Sequence, residues 1–160
     1  MHPMNRKKNP KAAAVIDIDS NALKMRISQL KKDKIVDIDR LEYPVRLGHE
    51  VFTSGKISFE SLRELSTLLH GYSETMKEYG VDQCEVVATT ALREAKNRSY
   101  VLDQLKIQNN MTVRVLEEDQ EKTLIYSKIL QSLHTMEDLP ADNALISFIG
   151  TVDGEAYDGN

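Results

Sequence analysis

The residues best suited to do chemistry in this 160-residue chain lie in one short stretch near its N-terminus. Asp17 closes a run of small and β-branched residues, and a polar turn that includes Ser20 and Asn21 follows it directly. A carboxylate at the end of a buried strand, next to a tight turn with hydroxyl and amide groups, suits the binding of phosphate or of a metal–phosphate complex. The same residues also suit a plain β-hairpin in which Asp17 and Asp19 only cap a polar turn. This stretch alone leaves both interpretations open.

Three strand-like segments follow one another, the first two on either side of this turn, and they predict an antiparallel meander. The first ends at Asp17, the second covers residues 23–30 and the third covers residues 34–45. A charged turn at residues 31–33 joins the last two, as in a hairpin. The next stretch, residues 45–57, contains two glycines and a Thr-Ser pair, and it is predicted to be a loop.

A long amphipathic helix is predicted between Ser58 and Gly80. Ser58 is a good N-cap residue, and Gly80 occupies the position at which glycine ends helices. Apolar residues recur at spacings of three or four, which predicts one face that packs in the core. These residues are Phe59, Leu62, Leu65, Leu69, Tyr72, Met76 and Tyr79.

The remainder of the chain alternates between strand and helix patterns. The predicted elements are a strand at 83–89, a helical turn at 89–97, a helix at 99–108, a strand at 111–116, a helix at 119–133 and a strand at 144–149. A strand, a helix and another strand with no room for a hairpin imply a crossover and a parallel neighbour. We therefore predict an α/β fold with a mixed five-stranded sheet, in which the three-strand meander is followed by βα crossovers.

Composition excludes several classes of function. The net charge of −4 gives no basic field for nucleic acid, and no apolar run approaches the ~20 residues that span a membrane. Cys84 is the sole cysteine, which rules out an intrachain disulfide and fits a cytoplasmic location. The four histidines lack the spacing of metal ligands, so no His/Cys metal site is expected. Residues 1–11 are basic and polar and are expected to be a disordered lead-in.

Three sequence motifs carry a resemblance to a known family. They are VIDIDSN at residues 15–21, VVATTALREAKN at 86–97 and VLEEDQEKTLIY at 115–126, and VRLGHEVFTSGKIS at 45–58 is a weaker match. In this order they resemble the exopolyphosphatase and guanosine pentaphosphate phosphohydrolase family. The order of elements resembles one lobe of the actin-like, ribonuclease H-like fold. The resemblance implies that residues 12–142 are the family's N-terminal lobe and that residues 143–160 are the start or remnant of a second lobe.

The resemblance implies hydrolysis of a terminal phosphoanhydride, with polyphosphate or guanosine pentaphosphate as substrate and a divalent metal, Mg²⁺, as cofactor. Such chemistry needs charge neutralisation and an oriented water. Carried over by position, Asp17 would hold the metal, Arg93 would bind phosphate through its planar fork, and Glu121 would activate the attacking water. The implied phosphate-binding residues are Ser20, Asn21, Thr89, Thr90 and Gly150.

Each of these roles has an ordinary alternative. Arg93 could form a surface salt bridge with Glu94 or Glu118, and Glu121 could stabilise a helix N-terminus through its charge. Only the joint pattern favours the functional roles over these alternatives.

This chain departs from the family pattern at two places. Asp19 stands where the family has a glycine, which predicts a less favourable backbone and repulsion of a polyanion. The family's second phosphate loop, an acid followed by three glycines, corresponds here to ISFIGTVDGEAYDG at residues 146–159, in which Gly150 is the clear remnant. We therefore expect little hydrolysis by this chain.

Two other functions stay open at this point. The chain could be a non-catalytic module that binds polyphosphate or a nucleotide, or a nucleotide binder of the sugar-kinase type, although the latter does not share the TTALREAKN segment. A cleft face that lacks its second lobe could also drive formation of a homodimer.

Overall fold

The computed structural model describes residues 11–32, residues 34–117 and Ile129. No helix in this part of the chain is long and apolar enough to cross a membrane. The elements in chain order are β1 (Ala12–Ile18), β2 (Ala22–Lys31), β3 (Lys34–Pro44), α1 (Leu47–Ser54), α2 (Phe59–Tyr79), β4 (Val81–Ala88), α3 (Thr90–Glu94), α4 (Arg98–Asn109) and β5 (Val113–Val115).

The five strands form one mixed sheet in the order β3-β2-β1-β4-β5. β1 pairs antiparallel with β2, and β2 pairs antiparallel with β3, which confirms the predicted meander. β1 pairs parallel with β4, and β4 pairs parallel with β5. The predicted α/β fold with a mixed five-stranded sheet is therefore confirmed. Because β1 and β4 are parallel neighbours, their carboxyl ends meet at the same edge of the sheet.

The central strand β1 is buried along its whole length. Ile16 and Ile18 belong to the main hydrophobic core, together with Leu65 and Leu69 of α2. Successive side chains of a strand point to opposite faces, so Asp17 lies on the face of β1 away from these two isoleucines. The carboxylate near the end of β1 is thus separated by the sheet from the helix that packs on it.

α2 confirms the predicted helix and both of its ends. The Ser58 hydroxyl accepts a hydrogen bond from the N–H of Ser61 (3.1 Å), and Gly80 adopts a left-handed conformation at the C-terminus. The predicted apolar face is wrong at Phe59, which is 74% exposed. This ring lies in the first turn of α2 and makes an edge-to-face contact with Tyr100 of α4, so it does not reach the sheet.

The predicted loop at residues 45–57 is wrong, because it contains the helix α1. Leu47 and Val51 are one helical turn apart and are both buried, so this short helix has an apolar face of its own. Gly55 ends it in a left-handed conformation, and its N–H donates to the carbonyl of Val51 (2.8 Å). Gly48 and the Thr-Ser pair have low helix propensity, and they concealed this element.

Several predictions lie outside the described residues. They are the lead-in over residues 1–10, the helix at 119–133 apart from Ile129, the strand at 144–149, the segment 143–160, and the candidate residues Glu121 and Gly150. Ile129 itself is helical and buried.

The contact between α2 and β2 gives a test of the core. The Tyr72 hydroxyl donates a hydrogen bond of 2.7 Å to the carbonyl of Leu23, and only 6% of the residue is exposed. Burial, and to a lesser extent the nearby charge of Glu42, raises the pKa of Tyr72 from 10.0 to about 12. The folded protein therefore favours the neutral phenol.

We predict that Tyr72→Phe lowers the free energy of unfolding by about 1 kcal/mol at neutral pH, because the buried hydrogen bond is lost. The contribution of Tyr72 is fully present below pH 10, where the unfolded phenol stays neutral, and is lost as the pH rises towards 12. Urea unfolding at pH 7, 9 and 11 should show that the difference between the two proteins shrinks at the highest pH. Tyr43→Phe, at a half-exposed position on β3, should change stability at pH 7 by less than about 0.5 kcal/mol. A Tyr72→Phe difference that is constant from pH 9 to 11 would contradict the buried neutral hydroxyl.

Candidate functional site

The polar turn between β1 and β2 is held by backbone hydrogen bonds on both of its sides. The N–H of Asp19 donates to the carbonyl of Ala22 (3.0 Å) and closes the turn internally. From outside, the N–H of Val45 donates to the carbonyl of Asn21 (3.0 Å). The segment that leads into α1 therefore helps to fix the turn.

Gly48, in the first turn of α1, makes the closest approach to this turn. Its N–H donates to the carbonyl of Ser20 (2.9 Å). A Cβ at position 48 would lie 2.7 Å from the Cβ of Ser20, which is closer than real Cβ atoms approach a neighbour. Glycine is thus required here by space, and α1 rests directly on the turn that carries Ser20.

The second wall of the site is formed where β4 passes into α3. The N–H of Thr89 donates to the carbonyl of Ile18 (3.3 Å), and the N–H of Arg93 donates to the carbonyl of Thr89 (3.0 Å). Across the gap, the Thr89 hydroxyl donates to Oδ1 of Asp19 (2.9 Å). This side-chain bond joins the start of α3 to the turn after β1.

Arg93 projects from α3 towards the end of β5. Its Nη1 donates to the carbonyl of Leu116 (2.9 Å), its Nη2 lies 3.5 Å from the hydroxyl of Thr90, and its Nε lies 3.6 Å from Oε1 of Glu94. The salt bridge with Glu94 that the sequence left open is present. It is weak because Glu94 is more than half exposed, whereas the guanidinium side chain is only 15% exposed.

These two walls enclose one open pocket of about 690 Å³ at the carboxyl edge of the sheet. Five of the candidate residues line it together: Ser20, Asn21, Thr89, Thr90 and Arg93. The other lining residues are Asp19, Ala22, Lys24, Glu42, Leu116 and Glu117. Hydroxyl groups, an amide and a guanidinium around one concavity can donate hydrogen bonds to an oxyanion.

Asp17 lines a smaller cavity beside this pocket. It is 2% exposed, and its cavity of about 190 Å³ is also lined by Val15 and Arg26. Lys24, which pairs with Asp17 in the sheet register, lines both this cavity and the larger pocket. Glu42 also lines both, so the candidate metal residue lies in a cavity that adjoins the one lined by the candidate phosphate residues.

The pocket has a small excess of negative charge among its lining residues. Three acids, Asp19, Glu42 and Glu117, face two bases, Lys24 and Arg93. Within the described ranges, no group of three or more His, Cys, Asp or Glu side chains is arranged to hold a metal ion. The described lobe does not by itself build a closed metal site.

Asp19 does not carry the strained backbone that its place in the glycine position predicts. Among the described residues other than glycine, only Lys32 and Asn110 have a positive φ. No residue of the turn therefore needs the left-handed conformation that favours glycine. What Asp19 changes at this position is the charge and the side-chain contacts, and not the conformation of the chain.

The motif that supplies Arg93 also carries a structural residue, Asn97. Its amide oxygen accepts from the N–H of Ile57 (3.0 Å), and its amide nitrogen donates to the carbonyl of Ile57 (2.7 Å). The N–H of Lys96 donates to the carbonyl of Gly55 (2.8 Å). These bonds tie the connection between α3 and α4 to the connection between α1 and α2.

Among the residues that sequence reasoning missed are Lys24, whose charge lies in the pocket, and Gly48, which supports the turn. Lys24 could have been found from strand alternation, because Leu23 and Met25 on either side of it are core residues. Gly48 gives no local signal, since its role depends on a contact with a residue that is distant in sequence.

Comparison with known proteins gives a family match. The model of the Ppx/GppA phosphatase family matches residues 26–144, which is most of the chain. The predicted resemblance is therefore confirmed.

Solved structures give the same result. An Aquifex aeolicus member of the Ppx/GppA family is 29% identical, with a TM-score of 0.68 over 77% of this chain and 40% of that chain. The Aquifex aeolicus PPX-GPPA enzyme is 30% identical, with a TM-score of 0.67 over 77% of this chain and 41% of that chain. An exopolyphosphatase from Cytophaga hutchinsonii, 24% identical, shares the fold with a TM-score of 0.67 over 76% of this chain and 39% of that chain. This chain spans about 40% of the length of these structures.

The tight contact at Gly48 generates a prediction. Gly48→Ala should lower the free energy of unfolding by about 1–3 kcal/mol, because the new methyl group overlaps with Ser20 and must push α1 or the turn aside. Thermal or urea unfolding measures this effect. The matched control is Gly71→Ala within α2, where a Cβ meets nothing within 4 Å, and that change should stabilise the protein by about 0.5–1 kcal/mol. Equal effects of the two substitutions would contradict the close packing of α1 on the turn.

Proposed function

We propose that this chain, which belongs to the Ppx/GppA phosphatase family, binds the terminal phosphates of polyphosphate or of a guanosine polyphosphate. The observation that carries the proposal is the convergence of Ser20, Asn21, Thr89, Thr90 and Arg93 around one pocket, although they come from two distant segments. The site is open and polar, as suits the end of a hydrophilic chain of phosphates. The chain spans only part of the related structures, so the activity of the whole protein is itself part of this proposal.

Each lining residue has a chemical role in the proposal. The hydroxyls of Ser20, Thr89 and Thr90 and the amide of Asn21 donate hydrogen bonds to phosphate oxygens. Arg93 presents a planar fork of N–H groups that matches two oxygens of one phosphate. Its hydrogen bond to the carbonyl of Leu116 fixes the guanidinium at the pocket and lowers the conformational entropy that binding must otherwise remove.

We further propose that hydrolysis by this chain is weak. In the proposed reaction Glu121 activates the attacking water and Arg93 stabilises charge on the phosphate that is transferred. Two sequence features oppose efficient catalysis: the acid at position 19, and the loss of most of the glycine loop around Gly150. The chain would then act mainly as a phosphate-binding lobe.

The proposal includes a divalent cation that binds together with the phosphates. Mg²⁺ is usually held by one or two carboxylates together with substrate phosphates and water, so a complete cage of protein ligands is not required. Asp17 was the carboxylate that the resemblance assigned to the metal, and Asp19 is the one from the same stretch that lines the pocket. A bound cation would supply neutralisation of phosphate charge.

Replacing the guanidinium group of Arg93 tests the proposed binding of phosphate. Arg93→Lys should weaken the binding of tripolyphosphate by about 10-fold, measured by isothermal titration calorimetry, because lysine keeps the charge but loses the bidentate geometry. The control Arg63→Lys changes an exposed position of α2 that does not line the pocket, and it should bind as the wild type does. Unchanged binding by Arg93→Lys, or an equal loss in the control, would remove the support for this site.

Turnover provides a separate test. Purified protein with Mg²⁺ should release little inorganic phosphate from polyphosphate or guanosine pentaphosphate, as measured by a colorimetric phosphate assay. Substantial release that Glu121→Gln abolishes would show that the chain is an active hydrolase, and would overturn the proposal of weak catalysis. The binding result with Arg93→Lys does not depend on this outcome.

A further inference from the structure

The carboxylate of Asp19 already contacts two of the groups that an anion bound in the pocket would use. Its Oδ1 accepts the hydrogen bond from the Thr89 hydroxyl at 2.9 Å. Its Oδ2 lies 3.8 Å from the ammonium of Lys24. Thr89 and Lys24 both line the pocket, one from each wall. The carboxylate thus has the contacts of an anion that is bound within the site.

These contacts compete directly with a phosphate. A threonine hydroxyl has a single donor hydrogen, and the hydroxyl of Thr89 directs it at Asp19. The charge of Lys24 is also partly neutralised by its neighbour, with side-chain exposures of 39% for Lys24 and 21% for Asp19. A free polyanion must therefore displace a negative group that belongs to the chain, and it is repelled by that group as it approaches.

We infer that Asp19 is a specificity-determining residue that acts as an internal competitor of the phosphate for Thr89 and Lys24. It selects phosphates whose charge is already reduced by a bound divalent cation, and it disfavours free polyanions. This inference rests on the proposed phosphate-binding function of the same pocket. A cation-bearing phosphate tolerates Asp19, because the carboxylate can then face the cation while Thr89 and Lys24 turn to the phosphate oxygens.

The test is Asp19→Asn, which keeps an amide oxygen as acceptor for Thr89 but removes the negative charge. Asp103→Asn is the matched control, because it makes the same change in charge at an exposed position of α4 that does not line the pocket. The probe is tripolyphosphate, titrated calorimetrically into the whole chain, once with EDTA and once with excess MgCl₂. Circular dichroism establishes that each variant is folded. Asp19→Gly serves as a second variant with the same expected direction if the asparagine variant fails to fold.

Without Mg²⁺, we expect Asp19→Asn to bind tripolyphosphate roughly 10- to 100-fold more tightly than the wild type, as follows from removing one unit of like charge at a few ångströms. With Mg²⁺ the difference in affinity between Asp19→Asn and the wild type should fall to roughly a few-fold, because the cation screens the carboxylate. Asp103→Asn should match the wild type in both conditions.

The outcomes that contradict the inference are distinct from those that contradict the proposed function. If Asp19→Asn binds no more tightly than the wild type without Mg²⁺, while Arg93→Lys still weakens binding, the inference is wrong and the phosphate site stands. If Asp103→Asn gains as much affinity as Asp19→Asn, net charge explains the effect and the inference is again wrong. If neither the wild type nor the variant binds the probe in either condition, the proposed function itself fails, and the inference fails with it.

Discussion

The site depends most on a close contact between Gly48 and Ser20, in which the start of a helix rests on a turn and the glycine leaves room for the side chain of Ser20. The hydrogen bond from the Gly48 N–H to the Ser20 carbonyl requires this approach, and a Cβ at position 48 would lie 2.7 Å from that of Ser20. Turns at a sheet edge are otherwise free to move, because their backbone groups can bond to water. Here the contact fixes the residue that carries a candidate phosphate hydroxyl.

α1 can fix the turn only because other elements fix α1. An eight-residue helix is marginal on its own, so its position must come from tertiary contacts. Glu50 of α1 accepts hydrogen bonds from the N–H of Ser58 and the hydroxyl of Ser61 at the start of α2. Burial raises the pKa of Glu50, but these hydrogen bonds outweigh it and hold the pKa below its usual value. The long helix therefore supports the short one, and the short one supports the turn.

Elements that depend on interactions local in the sequence could be predicted, whereas elements that depend on contacts between distant segments could not. α2 is readable because its N-cap, its apolar period and its terminal glycine are all local signals. The sequence predicts a loop in place of α1 because the helical state of α1 comes from two buried residues and from neighbours distant in sequence. In the same way, the motifs predict that Arg93 and Ser20 serve one site, whereas the position of Asp17 in an adjoining cavity with Lys24 and Glu42 depends on strand pairing and could be recognised only with the sheet in place.

An aspartate in place of glycine at position 19 has two opposite physical effects on the polar turn between β1 and β2. A glycine position predicts a left-handed backbone, but φ is not positive at position 19, so the aspartate does not carry that strain. The carboxylate instead joins the two walls through Thr89. A glycine has no side chain that could make this bond, and the backbone bond from Thr89 to Ile18 would remain as the link between β1 and the start of α3. The acid thus joins the two walls of the pocket with the same atoms that oppose an incoming phosphate, so it links the walls and lowers the affinity for a free anion at the same time.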